Sequence, residues 1–291
     1  MGIFASKRTT NKANIVLVHG FWADGSGWSK VIPTLQAQGH FVIAEQNGLT
    51  SLADDVTTTR QILAELEGPT LLVGHSFGGF VISEAATDAP GVVGLVYISA
   101  FILDEGETLL GSGAQFPPLD VFQHLLVSAR GLAWIDPDFF PQNFANDLDL
   151  EQARTLAASQ VPPTASIFET KAGQPAWKSL PSWSLFGSED RMIHPDQHRW
   201  MAQRSKATAR EISASHVPML SHPDEVAHII LQAANEAVPA LWRTEHAPPM
   251  QERGSKNAAP LLSMLCPMKR EGRRIDASHE VGKPLRYTTS E

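Results

Sequence analysis

Thr70-Leu71-Leu72-Val73-Gly74-His75-Ser76-Phe77-Gly78-Gly79-Phe80-Val81-Ile82 is the stretch from which the rest of the chain can be read. Its first four residues are an apolar run of strand type, and from Gly79 to Ala86 the pattern is helical. Between them sits a G-x-S-x-G pentapeptide, Gly74 to Gly78, at a sharp strand-to-helix turn. Such a turn forces the serine into strained backbone geometry, and glycines flank it where a side chain would clash. The hydroxyl of Ser76 is thereby lifted clear of the sheet edge, at a helix N-terminus that favours negative charge. Ser76 is the candidate nucleophile.

Outward from this point, strand-like and helix-like segments alternate, which predicts a mainly parallel sheet with helices on both faces. Asn14 to Val18 is an unbroken apolar run of the kind buried on both sides. A glycine-rich loop, His19 to Trp28, follows it, then a helix from Val31 to Gln38 stopped by Gly39. Phe41 to Ala44 reads as the second strand, and Leu52 to Leu66 as an amphipathic helix ended by Gly68-Pro69. Val92 to Ile98 is the fourth strand. The alternation stops there and resumes with Trp183 to Phe186, a helix over Pro195 to Arg204, a last strand near Ala209 to Ser213 and a closing helix over Pro223 to Ala237. The expected architecture is therefore an α/β core of roughly six strands, residues 1–103 and 179–243.

The intervening residues 104–178 are too long for a plain loop and read as a helical cap inserted after the fourth strand. They carry Phe116, Phe122, Trp134, Phe139, Phe140, Phe144, Phe168 and Trp177. More than half of these aromatics should simply fasten the cap, and the remainder should line a pocket. Residues 244–291 are rich in Pro, Ser, Lys and Arg without a clear period, and read as a disordered or loosely attached tail.

Composition narrows the class. The 291 residues are 43% hydrophobic and 19% charged, an ordinary globular balance. A net charge of −8 is the wrong sign for nucleic-acid binding. The single cysteine, Cys266, makes no internal disulfide, and no run approaches the roughly 18 apolar residues of a membrane span. The N-terminus lacks the apolar stretch of a secretory signal, so the expected location is cytoplasmic. Gly2 and Ser6 do match the loose N-myristoylation pattern.

A serine hydroxyl needs a base within hydrogen-bond reach, itself oriented by a third group. In a doubly wound sheet such partners stand on loops at the C-terminal strand ends. Asp190 follows the strand after the cap, and His216 follows the last strand. His222 is the rival base, although Ser221-His222-Pro223-Asp224 looks like the start of the closing helix. Glu189 and Asp104 are the rival acids. His194, His198, His228, His246 and His279 are read as surface residues. The oxyanion of acyl transfer needs fixed donors. The N–H of Phe77 is one by position, and the N–H of Phe21, in the loop after the first strand, is the second. Trp22, Trp28 and Trp134 are possible pocket walls. No metal-ligand spacing appears, and neither metal nor cofactor is expected.

From about residue 14 to 238 the chain resembles the α/β-hydrolase superfamily, and within it the small-ester branch of plant methylesterases, hydroxynitrile lyases and their bacterial relatives. The matching pieces are His19-Gly20-Phe21 with Gly25 and Trp28, Gly74 to Gly79, Ser188-Glu189-Asp190-Arg191, and His216 with Met219-Leu220 and Pro223. The order Ser76, Asp190, His216 is the order of that superfamily. The resemblance implies a six-stranded sheet with a helical cap and cofactor-free hydrolysis of small carboxylic esters. The lyases carry a lysine directly after the histidine and a threonine in the first oxyanion loop; this chain has Val217 and Phe21 there, which disfavours cyanide release. Dehalogenases and epoxide hydrolases of the fold have an aspartate in place of Ser76. The alternative from another class is a small-molecule receptor that keeps the pocket without turnover.

Overall fold

The computed structural model describes residues 12–238. The tail 244–291, His246, His279 and Gly2 lie outside the described residues. Six strands form one parallel sheet: β1 (Asn14–Val18), β2 (Phe41–Ala44), β3 (Thr70–His75), β4 (Val92–Ile98), β7 (Ser182–Gly187) and β8 (Thr208–Ile212). Their spatial order is β2-β1-β3-β4-β7-β8. Strands β5 (Leu125–Val127) and β6 (Ala133–Ile135) form a separate antiparallel pair. Every residue of β1 and β3 is buried. Both strands are central and covered on two faces, which is why their sequences are continuous apolar runs instead of alternating ones.

Helices α1 (Ile32–Ala37), α2 (Leu52–Ala64), α3 (Gly78–Ala85) and α7 (Pro195–Ser205) stand between strands of the main sheet, and α8 (Pro218–Ser221) and α9 (Pro223–Ala237) follow β8. Local chemistry sets their ends. Ser51 caps α2 by accepting from the Asp54 N–H, and α1, α7 and α9 each begin with proline in the first turn, where its missing N–H costs nothing. The buried face of α9, Val226, Ile229, Ile230 and Ala233, repeats at helical spacing and packs on β4 and β7.

Strand order reverses beside β1, because β2 lies on one side of it and β3 on the other. The loops leaving β1 and β3 therefore part at their carboxyl ends and leave a crevice, the usual ligand position in open α/β sheets. Residues between β4 and β7 cover that crevice with α4 (Leu109–Gly113), the β5–β6 pair, α5 (Phe140–Phe144), α6 (Leu150–Ala158) and short 3-10 turns. Two indole N–H groups fasten this segment: Trp22 donates to Ala133 O at 2.9 Å and Trp177 to Leu103 O at 2.8 Å. Among the described residues no helix is long and apolar enough to cross a membrane.

Candidate active site

Ser76 lies immediately after β3 with φ +54, in the left-handed region that costs a non-glycine residue energy. Two glycines permit the turn. A Cβ on Gly74 would meet the Gly78 carbonyl carbon at 2.5 Å, and one on Gly78 would meet Val18 O at 2.5 Å. The bend is then pinned by its own main chain, since Ser76 O accepts from Gly79 N at 3.0 Å and Phe101 N at 3.1 Å.

The loop after β1 presses against this turn. A Cβ on Gly20 would stand 2.6 Å from Ser76 Cβ and 3.2 Å from Phe77 N, so only glycine lets the two main chains approach. This brings the segment carrying Phe21 beside the Phe77 N–H, and neither of these two N–H groups donates to a main-chain group among the described residues. Trp22 extends the loop with φ +58, held by its N–H on Val161 O at 3.0 Å.

Asp190 and His216 come together beneath these loops. His216 Nδ1 donates to Asp190 Oδ2 at 2.8 Å, with both side chains essentially sealed from solvent. The neutral ring in this tautomer carries its free lone pair on Nε2, which is buried without a partner. The rival positions serve elsewhere. Glu189 accepts from Ser213 Oγ at 2.6 Å, Asp104 pairs with Lys178, and His222 is the residue that starts α9, its Nδ1 on Ser221 Oγ at 2.9 Å.

His198 is a correction. Expected at the surface, it is 1% exposed, and its Nε2 donates to Asp190 Oδ2 at 2.9 Å. Asp190 thus receives four donors: the two imidazoles on Oδ2, and the N–H groups of Met192 at 2.8 Å and Ile193 at 3.0 Å on Oδ1. Burial alone would raise its pKa, but the facing His216 and the donated hydrogen bonds outweigh it and hold the carboxyl well below the usual range. The sequence gives no local signal for His198, because its contact depends on how α7 packs against the loop after β7.

His75, the first of the two variable residues of the pentapeptide, is a further part of the site that the motif alone does not reveal. Its Nε2 donates to His216 O at 2.9 Å, and the two rings stand 4.8 Å apart. Burial pushes its pKa well down, so it acts as a neutral donor that ties the serine turn to the histidine loop. Ser76 Oγ makes no hydrogen bond to His216 Nε2 in this structure; such contacts commonly tighten only with substrate bound.

A small cavity opens over Ser76, walled by Phe21, Trp22, Phe101, Phe168, Met192 and Ile193, with Leu110 and Phe122 at its mouth. About 30 Å³ is open to a water-sized sphere, room for roughly two waters. Of the three candidate wall tryptophans, Trp22 lines this cavity. Trp28 lines a second small cavity beyond Trp22 with His19 and His75, and Trp134 sits on β6 opposite Leu126. Among the eight aromatics of residues 104–178, Phe122 and Phe168 face the Ser76 cavity, whereas Phe140 packs on Phe144, which in turn stands 5.2 Å from the His216 ring. Among the described residues, no group of three or more His, Cys, Asp or Glu side chains is arranged to hold a metal ion.

The chain is similar to several known proteins. Methylesterase 7 of Arabidopsis thaliana is 28% identical over 264 residues, which span 78% of this chain and 98% of the relative. The pyrethroid hydrolase of Sphingobium wenxiniae is 28% identical over 265 residues, spanning 79% and 90%. Among solved structures, polyneuridine aldehyde esterase superposes with a TM-score of 0.68 at 22% identity, over 76% of this chain and 98% of that one, and so shares the fold. The model of the alpha/beta hydrolase family matches residues 15–229, nearly three quarters of the sequence, and the chain belongs to that family.

Proposed function

We propose that the protein hydrolyses small, neutral, apolar carboxylic esters through an acyl-enzyme on Ser76. The observation that carries this reading is the buried His216–Asp190 pair, with Nε2 of the imidazole left as the free base beside the serine turn. The names of the relatives, methylesterase and pyrethroid hydrolase, support ester cleavage.

In this reading His216 Nε2 takes the proton of Ser76 Oγ as the oxygen attacks the ester carbonyl. Asp190 keeps the ring in the Nδ1–H tautomer and stabilises the imidazolium that forms. The N–H groups of Phe21 and Phe77 receive the oxyanion, each such donor being worth about 3 kcal/mol in the transition state. Collapse expels the alcohol, which leaves with the proton from His216 Nε2. Water, deprotonated by the same nitrogen, then attacks the acyl-enzyme and releases the acid.

Ser76 carries the hydroxyl of a cavity whose other lining side chains are aliphatic, aromatic or thioether, and none of them is charged. A charged acyl group would find no counter-ion there, which supports neutral apolar esters. The free volume is too small for an ester, so Leu110 and Phe122, 45% and 47% exposed, yield when substrate enters. The single cysteine requires no oxidising compartment, in keeping with a cytoplasmic setting.

The test is hydrolysis of p-nitrophenyl esters from acetate to decanoate by wild type and folded Ser76→Ala. Turnover on short chains that disappears in Ser76→Ala supports the proposal. Binding of the esters without release of nitrophenol would favour a receptor instead.

A further inference from the structure

Asp190 is the meeting point of two histidines from different elements. His216 reaches it from the loop after β8, and His198 from α7. Both donate to the same oxygen, Oδ2, at 2.8 and 2.9 Å, while Oδ1 takes the two main-chain donors. Four donors fill the four acceptor sites of a carboxylate. The carboxylate therefore cannot rotate without breaking at least two bonds, and no acceptor capacity is left for water.

The His198 ring is itself fixed. It stacks on Phe186 of β7 with centroids 5.0 Å apart and planes 13° from parallel, and its side chain is 1% exposed. Phe186 lies four residues before Asp190, so the strand that presents the acid also presents the platform for the second histidine. The charged and titratable groups that act on His198 are Asp190, His216 and Glu211, of which Glu211 is paired with Arg199. Burial outweighs the two carboxylates and pushes the His198 pKa down, so the ring donates to Asp190 while neutral.

We propose that His198 is a positioning residue for the triad, whose Nε2–H locks the Asp190 carboxylate and draws off part of its charge, thereby setting the pH at which His216 becomes a competent base. The proposal rests on the reading of Ser76, Asp190 and His216 as a triad. A donor removed from Oδ2 leaves more negative charge facing His216, and the imidazolium becomes easier to form. The acid limb of the rate profile must then move to higher pH. Loss of the lock adds a separate fall in kcat, with KM little affected, because His198 lies behind the acid and outside the walls of the Ser76 cavity.

The experiment compares wild type, His198→Phe and His198→Gln. Phenylalanine keeps the stack on Phe186 but cannot donate; glutamine can donate through its amide. The pH dependence of kcat/KM on a short p-nitrophenyl ester is recorded for each, with the NMR titration of the His216 ring signals alongside. The expected result is an upward move of the acid limb and of the His216 titration by about half a unit to one unit in His198→Phe, as for one hydrogen bond lost. In His198→Gln both return towards wild type. Unchanged pH dependence in His198→Phe, with kcat reduced equally in both variants, would overturn the proposal and leave His198 a packing residue. The NMR titration is read without substrate, so it judges His198 even if no ester is turned over, whereas absence of turnover in wild type would count against the triad reading alone.

Discussion

The rings of Phe21 and Phe77 stack face to face, 4.2 Å between centroids and 19° between planes. One belongs to the loop after β1 and the other starts α3, so the stack joins the two main-chain segments whose N–H groups would receive the oxyanion. Both side chains are buried, at 3% and 0% exposure. A side chain that contributes nothing polar can in this way govern polar geometry. Phe21→Ala should lower kcat by roughly tenfold to a hundredfold, since small displacements at a reacting centre have effects of that size. Steady-state kinetics on the folded variant checks this; kcat within twofold of wild type would show that the loop holds its shape without the ring.

Gly20 makes a sharper case. Its missing Cβ is the space in which Ser76 Cβ and the His75 carbonyl lie, at 2.6 and 2.9 Å from where the atom would stand. Both obstacles belong to the pinned turn and neither is the end of a flexible side chain. Gly20→Ala should therefore reduce kcat/KM by about a hundredfold or more while circular dichroism stays close to wild type. Near-normal activity would mean that the serine turn is less rigid than its hydrogen bonds suggest.

The parts of this site that are legible in the sequence are those set by local chemistry. Gly74 and Gly78 announce the turn because a Cβ at either would collide with main chain, and β1 and β3 announce themselves because both faces are buried. Asp190 and His216 follow from position at strand ends. What stayed hidden depends on packing between distant elements. His198 meets Asp190 through the placement of α7, and His75 meets His216 O across 141 residues of sequence. Nor does the sequence distinguish Trp22, which lines the Ser76 cavity as well as its neighbour, from Trp28, which lines the neighbour alone. Each is an aromatic in the same glycine-rich loop, and of the two Trp22 alone has left-handed backbone.

Leu110 and Phe122 stand at the cavity mouth with nearly half their surface in water. Phe122→Ala should widen the mouth and move the optimum of the p-nitrophenyl series to longer acyl chains, with a few-fold gain for octanoate relative to acetate. Stability should change by no more than about 0.5 kcal/mol, as at an exposed position. An unaltered chain-length profile would place the acyl group elsewhere.

Glu45 introduces a pH dependence of stability unconnected with catalysis. It is 2% exposed at the end of β2, accepts from Thr59 Oγ1 at 2.9 Å, and has its second oxygen unpaired. Burial, opposed in part by the Thr59 hydrogen bond and the nearby Asn47 side chain, pushes its pKa up to about 8 from 4.5. Asp55 on α2 is pushed up to about 6, again chiefly by burial. Between their unfolded and folded values the folded chain holds more protons than the unfolded one. The stability they contribute is therefore complete below about pH 4 and is lost as pH rises through 6 and then 8, by at most about 1.4 kcal/mol per pH unit for each proton. Thermal melts should fall steadily from about pH 5 to 8, and Glu45→Gln should flatten the upper part of that fall. A variant curve parallel to wild type would assign the slope to other groups.

The most direct test of the central claim, that Ser76 is a nucleophile driven by His216 and Asp190, is covalent labelling with a fluorophosphonate followed by peptide mapping. Attack by Ser76 Oγ on phosphorus displaces fluoride and leaves the phosphonyl mass on the peptide containing Gly74 to Gly79. Wild type should label there and at no other serine, Ser76→Ala should not label, and His216→Ala should label at least a thousandfold more slowly. Labelling of Ser76→Ala at the wild-type rate, or of His216→Ala as fast as wild type, would contradict the account.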